Sequence, residues 1–254
     1  MEILVAEHLK HPEDGFGLQQ AVLEEVAAGD RDPAALLWTS SRYVGATRPE
    51  TRLPGFAEAK RRAEDLGFPV LVRNSGGGAV AANEGSISFS LTLPVTDLRH
   101  GLYERYAEGV DLVSAALRRV GVEAEGGEVD GEFCPGAYSV RSGGSKGFKR
   151  AGLAQRVTRR AARVEALILV RRTAELVPVL EAFHDALGLP FRPESVADAP
   201  VGVPDMFEAL EAEVRKRYGG ERGRIWDGTF GRACALRESW HAAPGPSGPV
   251  SSDL

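Results

Sequence analysis

Cysteine, histidine and long apolar runs are all scarce in this chain of 254 residues. Two cysteines are too few for a disulfide framework or a cysteine-rich metal site, which favours a reducing compartment. Residues 1–10 carry acidic side chains and no long apolar segment, so no signal peptide is expected. Apolar stretches such as residues 166–170 are far too short to span a bilayer. These absences predict a cytoplasmic protein without a metal or a membrane partner.

Acidic residues are also missing from one long segment, residues 133–164, although the net charge of the chain is -5. The negative net charge argues against general nucleic-acid binding. The cations of the segment are Arg141, Lys146, Lys149, Arg150, Arg156, Arg159, Arg160 and Arg163. They form either a solvated surface or a basic rim that steers an acidic partner, and both interpretations stay open.

Hydrophobic periodicity predicts helices and strands in alternation. The helices are predicted at residues 18–28, 55–66, 103–120, 174–187 and 204–218. The strands are predicted within residues 35–45 and at residues 69–72, 87–93, 122–124, 137–140, 152–157 and 164–170. Because the alternation is not a strict βαβ repeat, we predict an α+β fold with a mixed, mainly antiparallel sheet flanked by helices. Residues 1–243 are expected to form one domain, and residues 244–254 a disordered tail.

A glycine run follows the predicted strand at residues 69–72 and begins at its charged end. The segment reads Arg73-Asn74-Ser75-Gly76-Gly77-Gly78. Glycines permit positive φ angles and close approach of a ligand, while their N–H groups can bind carbonyl or carboxylate oxygens. Three glycines alone indicate no more than a turn. Their position after a buried strand and an arginine favours a binding loop.

Cys134 stands in the turn Phe133-Cys134-Pro135-Gly136. A free cysteine is often only a small buried apolar residue, which is the interpretation that we give to Cys234. The turn places Cys134 in a loop instead, and the basic residues that follow favour its thiolate, the nucleophilic form. A Cys-His dyad is the competing use of this thiol, but the five histidines of the chain lie in no recognisable motif.

Lys149 precedes Gly152 by three residues in the segment 149–156. An isolated lysine in a basic stretch is usually solvated. Next to a reacting acyl group, however, an ammonium stabilises the oxyanion that forms on the carbonyl oxygen. Lys146, in the glycine-rich hairpin just before, is a second candidate for the same role.

Three segments together resemble the lipoate/biotin protein ligase superfamily: residues 73–80, 133–140 and 149–156. The first is similar to its Arg-x-Ser/Thr-Gly-Gly-Gly-Ala-Val signature, and the third to its Lys-x-x-Gly-x-Ala/Ser-x-Arg segment. The second resembles the cysteine loop of the octanoyltransferases that take their acyl group from the glycine-cleavage H protein. The resemblance has definite motifs over residues 71–170 and is looser over residues 18–66.

The resemblance implies the catalytic-domain fold of biotin and lipoate ligases and an acyltransferase of lipoate assembly. It implies that Cys134 carries octanoyl or lipoyl as a thioester and that Lys149 contacts the acyl carbonyl. The acyl-binding residues that it implies are Arg73, Ser75, Gly76, Gly77, Gly78 and Gly152. The implied donor is octanoylated H protein, the acceptor is a lysine on lipoyl domains of 2-oxoacid dehydrogenase subunits, and no cofactor is needed.

Three other functions are weighed against this one: transfer from octanoyl-acyl carrier protein, ATP-dependent lipoate ligation, and non-catalytic acyl binding as a scaffold. Against a ligase, Ala82 stands where ligases carry a histidine after the glycine run. Residues 162–166 likewise stand where a His-Gly pair usually precedes the buried strand. A ligase has no need of Cys134, and a scaffold has no need of any reactive group. The expected function is therefore cysteine-dependent acyl transfer.

Overall fold

A computed structural model of the protein describes residues 1–96 and 101–242. These residues form six α-helices and several short 3₁₀ turns. The helices are α1 (Pro12–Ala28), α2 (Phe56–Asp65), α3 (Leu102–Arg119), α4 (Val177–Leu187), α5 (Val203–Tyr218) and α6 (Asp227–Ala235). None of the helices among the described residues is long and apolar enough to cross a membrane.

The strands belong to two sheets. They are β1 (Glu2–Leu9), β2 (Ala34–Ser40), β3 (Tyr43–Thr47), β4 (Val70–Arg73), β5 (Val80–Ala82), β6 (Ser86–Pro94), β7 (Glu125–Gly126), β8 (Ser139–Ser142), β9 (Phe148–Val157), β10 (Ala161–Leu169) and β11 (Glu221–Arg222). The large sheet has the order β11-β1-β2-β6-β10-β9-β8-β7, and the small sheet the order β4-β3-β5. Among the described strands of the large sheet, only β1 makes parallel pairs, with β2 and β11, so the predicted mixed and mainly antiparallel sheet is confirmed.

Helices pack on both faces of the large sheet. On one face, α3 and α5 cover apolar side chains such as Phe89 and Ile168. On the other face, α1 packs against Leu36 and Trp38 and is itself covered by α6. The small sheet has its own apolar cluster with α2 and α4, which includes Phe183. This arrangement leaves α1 and the small sheet facing the middle strands of the large sheet, where the candidate site lies.

The predicted helices are all present, with boundaries that shift by a few residues. The largest shift is at α1, which begins at Pro12 and includes two glycines that the sequence pattern did not place in a helix. A Cβ on Gly15 would lie 2.5 Å from the ring of Trp38, so the ring can pack against the helix only if this position is glycine. The predicted strand at residues 122–124 is wrong, because the chain pairs only at Glu125–Gly126. The strand β1 and the helix α6 were not predicted.

The predicted tail, residues 244–254, lies outside the described residues. The extent of a single domain over residues 1–243 therefore stays a prediction.

Candidate active site

A cavity lies between the two sheets, at the ends of the segments that carry the sequence motifs. Its apolar wall comes from α1, β2, β3, β5 and β10, with Phe16, Trp38, Tyr43, Val80 and Leu167 among the lining residues. Its polar end contains Arg73, Cys134, Gly152 and Glu165. Arg73, Cys134 and Gly152 thus line one cavity, although they belong to three segments that are far apart in sequence.

Cys134 lies in the loop between β7 and β8, with a φ of 44° that non-glycine residues seldom adopt. Its Sγ accepts hydrogen bonds from the N–H of Gly78 at 3.1 Å and from Nη2 of Arg73 at 3.7 Å. The unusual backbone angle directs the thiol to the glycine loop instead of to solvent. A strained residue of this kind is held in place by its surroundings and is frequent at functional sites.

The glycine loop is shaped to receive the sulfur. Gly77 has a φ of +97°, and a Cβ at this position would lie 2.8 Å from Sγ of Cys134 and 2.9 Å from Nη2 of Arg73. The carboxylate of Glu50 links the end of this loop to β3, because it accepts hydrogen bonds from the N–H groups of Ala79 and Thr47. Only a residue without a side chain fits at position 77, for both steric and conformational reasons.

This fit makes position 77 a sensitive test of the loop. We expect Gly77→Ala to lower acylation of Cys134 by about tenfold or more, because the methyl group would displace the thiol and the guanidinium. The matched control is Gly76→Ala, since open space surrounds the Cβ position of Gly76 and its φ is not positive. The single-turnover acylation rate of each variant is the measurement. Equal acylation rates in Gly77→Ala and Gly76→Ala would contradict the steric requirement for glycine at position 77.

Lys149 is fully buried, and its ammonium is directed at the backbone of the cysteine loop. Nζ donates to a carboxylate oxygen of Glu132 at 2.9 Å and to the carbonyl oxygens of Phe133 and Cys134 at 2.9 and 3.0 Å. A Cβ on Gly152 would lie 3.2 Å from Nζ, so the ammonium sits directly against a glycine that lines the cavity. Its role at the acyl carbonyl stays a prediction; the contacts observed are with the loop that carries Cys134.

Glu132 and Tyr138 flank Cys134 and were not singled out in the sequence. The buried carboxylate of Glu132 also accepts hydrogen bonds from the hydroxyl of Ser139 and the N–H of Val129. The ring of Tyr138 stacks on Tyr106 of α3 at a centroid distance of 4.0 Å. The cysteine loop is therefore fixed at both ends. The only sequence signal for Glu132 was its place two residues before Cys134.

Glu165 is the other functional candidate that the sequence analysis missed. Its carboxylate accepts hydrogen bonds from the hydroxyl of Ser75 and from Nε of Arg163, and it lies 3.7 Å from Nη1 of Arg73. Burial alone would raise the pKa of Glu165, but the charges of Arg163 and Arg73 and the hydrogen bond from Ser75 outweigh it and hold the pKa below its ordinary value. The carboxylate is thus kept ionised inside the site.

The phenol of Tyr43, in contrast, is kept neutral. Burial raises its pKa to about 12, although a hydrogen bond with Ser88 acts in the opposite direction. Both residues line the cavity. A neutral phenol among Phe16, Trp38 and Leu167 gives this wall a mainly apolar surface, which suits a hydrocarbon chain.

No histidine within the described ranges lines this cavity. His184 is buried in α4, where its Nδ1 lies 2.8 Å from the carbonyl oxygen of Leu180 and burial lowers its pKa. Cys234 is only half-buried, so its interpretation as a core residue was wrong. Burial and the nearby carboxylate of Asp14 raise the pKa of its thiol, which disfavours a nucleophilic role. The described part of the chain also contains no cluster of metal-binding side chains.

The basic segment divides into buried and exposed members. Lys149, Arg150 and Arg163 are buried, which corrects their assignment to a basic surface. Arg163 points to Glu165 and Arg150 to backbone carbonyls of residues 197–198. Arg156, Arg159 and Arg160 are exposed at the end of β9 and in the turn to β10. Steering of an acidic partner by these three arginines stays a prediction.

Residues 11–218 match the family described as the lipoyl protein ligase A/B catalytic domain. The chain belongs to this family. Among the curated proteins, two similar ones are both named octanoyl-[GcvH]:protein N-octanoyltransferase. That of Geobacillus kaustophilus is 33% identical over 155 residues, which cover 61% of this chain and 54% of the relative. That of Bacillus velezensis is 28% identical over 222 residues, which cover 80% of this chain and 76% of the relative. The chain thus spans little more than half of the first relative's length.

The lipoyl protein ligase fold also appears among the solved structures. One of them concerns a bipartite lipoate protein ligase and its E2 lipoyl domain from Thermoplasma acidophilum. It aligns with a TM-score of 0.70 at 17% identity over 93% of this chain and 91% of that chain. This likeness, together with the family match, confirms the predicted superfamily and its catalytic-domain fold.

Proposed function

We propose that the protein is an octanoyltransferase that moves an octanoyl group from octanoylated GcvH, the glycine-cleavage H protein, to a lysine of another protein. The observation that carries the proposal is the thiol of Cys134 at the polar end of an apolar cavity, within hydrogen-bonding distance of the N–H of Gly78. A nucleophile, an amide donor and an apolar wall together suit acyl transfer. The names of the two relatives support the choice of octanoyl and of GcvH.

The reaction balances without a nucleotide. The sulfur of Cys134, which gives up its proton, forms a C–S bond with the octanoyl carbonyl on the donor lysine, the C–N bond breaks, and the leaving donor amine takes up one proton. The resulting thioester is attacked by the amine of the acceptor lysine, the C–S bond breaks, and the proton of that amine returns to the sulfur. One amide is broken and one is formed. The energy of the first amide is therefore conserved in the second, and no cofactor is needed.

The residues of the polar end have distinct proposed tasks. The N–H of Gly78 is a donor for the oxyanion that forms on the carbonyl, since it already points at the sulfur. Gly76, Gly77 and Gly152 allow the acyl group to approach the backbone. Ser75 and Arg73 complete the wall of the acyl site. The acceptor is proposed to be a lipoyl domain of a 2-oxoacid dehydrogenase subunit.

The test is the mass of the intact protein after incubation with octanoyl-GcvH, without ATP. The proposal expects a covalent octanoyl adduct that hydroxylamine removes, and its loss when a lipoyl domain is added. The same incubation with octanoyl-acyl carrier protein distinguishes the two donors. An adduct from acyl carrier protein alone would reassign the donor. If octanoylation of the lipoyl domain requires ATP and no octanoyl adduct forms on the protein, the protein is a ligase and the proposal is wrong.

A further inference from the structure

The sulfur of Cys134 has an unusual set of partners for a cysteine nucleophile. Its hydrogen-bond donors within the described chain are the N–H of Gly78 and the guanidinium of Arg73. A histidine, the common activating base of such thiols, is not among the lining residues that the structure describes. A positive charge next to a thiol favours the thiolate directly, without a base that moves the proton.

Hydrogen bonds from both Nη atoms hold the guanidinium of Arg73 in one orientation. Nη2, which contacts the sulfur, also donates to the carbonyl oxygen of Gly78 at 2.7 Å. Nη1 donates to the hydroxyl of Ser75 at 2.8 Å, and that hydroxyl donates in turn to Glu165. The planar fork of an arginine is well suited to hold several acceptors in a fixed geometry. The side chain is 7% exposed and cannot easily turn to solvent.

The charges around the site explain why Arg73 is not fully neutralised. Glu165 is shared with Arg163, whose Nη2 lies 2.7 Å from the second carboxylate oxygen, so two guanidinium groups share one carboxylate. Among the residues that the structure describes, Nε of Arg73 and Nη1 of Arg163 are buried without a hydrogen-bond partner, so both cations keep unused donors. Because one carboxylate faces two guanidinium groups, a net positive charge remains, and a thiolate on Cys134 can offset it.

The other charged groups near the cysteine loop have partners of their own. Lys149 and Glu132 form a buried ion pair, and the lysine contacts the carbonyl oxygen of Cys134. Glu50 opposes a thiolate, because its carboxylate and Cys134 both lie next to the Cβ position of Gly78, but the carboxylate is bonded to the N–H groups of Thr47 and Ala79. Arg73 is therefore the cation in direct contact with the sulfur.

We propose that Arg73 is the cationic partner of the Cys134 thiolate and that Glu165, through Ser75, positions it. In the proposed octanoyl transfer, on which this catalytic role rests, the thiolate occurs twice: before it attacks the donor and when the acceptor displaces it. Arg73 touches the reacting sulfur at both stages. This role differs from the acyl binding that the sequence resemblance implied, because the contact is with the enzyme's own nucleophile.

The experiment measures alkylation of Cys134 by iodoacetamide as a function of pH, in a Cys234→Ser background. The reagent reacts with the thiolate, forms an S–C bond and releases iodide, so no acyl donor is involved. In Arg73→Gln we expect alkylation to slow about tenfold near neutral pH and the loss to shrink as the pH rises, so that the rate profile moves to higher pH. Arg73→Lys keeps the charge and is expected to shift the profile by less than half as much.

Arg31→Gln is the matched control, because Arg31 is as buried as Arg73 and is also paired with a carboxylate, that of Glu25. Its profile should coincide with that of the parent protein. An unchanged profile in folded Arg73→Gln, or an equal shift in Arg31→Gln, would overturn the inference. If circular dichroism shows that Arg73→Gln is unfolded, Arg73→Lys decides, and a tenfold slowing of alkylation near neutral pH in that variant would then refute the role of charge.

The rate of octanoyl transfer by Arg73→Gln is a second measurement, independent of alkylation. In Arg73→Gln, kcat should fall at neutral pH and recover in part as the pH rises, which the loss of a purely structural residue would not produce. If the alkylation profiles of the parent protein and of Arg73→Gln differ as expected but the parent protein transfers no octanoyl group, only the proposed function is refuted. Transfer that proceeds normally in Arg73→Gln would refute the role of Arg73 alone.

Discussion

Replacing Cys134 with serine should abolish octanoyl transfer and leave the fold intact. A serine hydroxyl is not ionised near neutral pH without a base, and the ester that it could form reacts slowly with amines. The substitution changes one atom in a half-buried loop residue whose partners, Gly78 and Arg73, can bond to either atom. The thermal unfolding temperature should therefore change little, while the octanoyl adduct disappears from the intact mass.

Cys234→Ser is the control, since it removes the other thiol of the chain. Its thiol has a raised pKa, and it lies on α6, away from the residues that line the cavity. This variant should keep most of its activity and its octanoyl adduct. If Cys134→Ser remained active and Cys234→Ser did not, the nucleophile would be Cys234.

Lys149→Ala should reduce both stability and acylation of Cys134. The substitution leaves the buried carboxylate of Glu132 without its cation, and loss of one partner from a buried ion pair costs about 3–5 kcal/mol. It also releases the carbonyl oxygens of Phe133 and Cys134 from the ammonium. If the ammonium also acts on the developing oxyanion, the acylation rate should fall by about a hundredfold or more. Single-turnover acylation and thermal unfolding measure the two effects.

A double variant separates the ion pair from the chemistry. Lys149→Met with Glu132→Gln removes both charges, so no unpaired charge is buried, and much of the stability should return. Acylation should stay about a hundredfold low if the ammonium acts on the reaction itself. If acylation recovers together with stability, the role of Lys149 is confined to holding the loop. Lys146→Ala is the surface control, because Lys146 is exposed, and it should behave like the parent protein.

The loops that carry the chemistry were predictable because each is defined by local sequence. A glycine run needs no tertiary context to indicate a loop that a ligand can approach, and a cysteine before Pro-Gly indicates a turn. The strands β6 and β10 were predictable for a similar reason, since β6 alternates apolar and polar residues and β10 contains a short apolar run bounded by charged residues. Resemblance to a known superfamily then connected loops that no local pattern could connect.

Helix α1 shows where local patterns fail. Gly15 and Gly17 argue against a helix by propensity, yet they lie inside α1. Each occurs where another element approaches too closely for a side chain: the ring of Trp38 at Gly15, and the backbone of Ala233 in α6 at Gly17. Packing against distant residues overrides propensity here, and those distances are not encoded in any short window of sequence.

Residue types at short spacing were enough to predict the fold class, the candidate nucleophile and the loops around it, and the superfamily followed from a resemblance to known motifs. Which charged groups contact one another became clear only from the three-dimensional structure. It placed Glu132 against Lys149, and Glu165 between Arg73 and Arg163, and it buried cations that the sequence had suggested for the surface. Pairing of buried charges depends on which faces of strands from distant segments come together, and chain order does not reveal it.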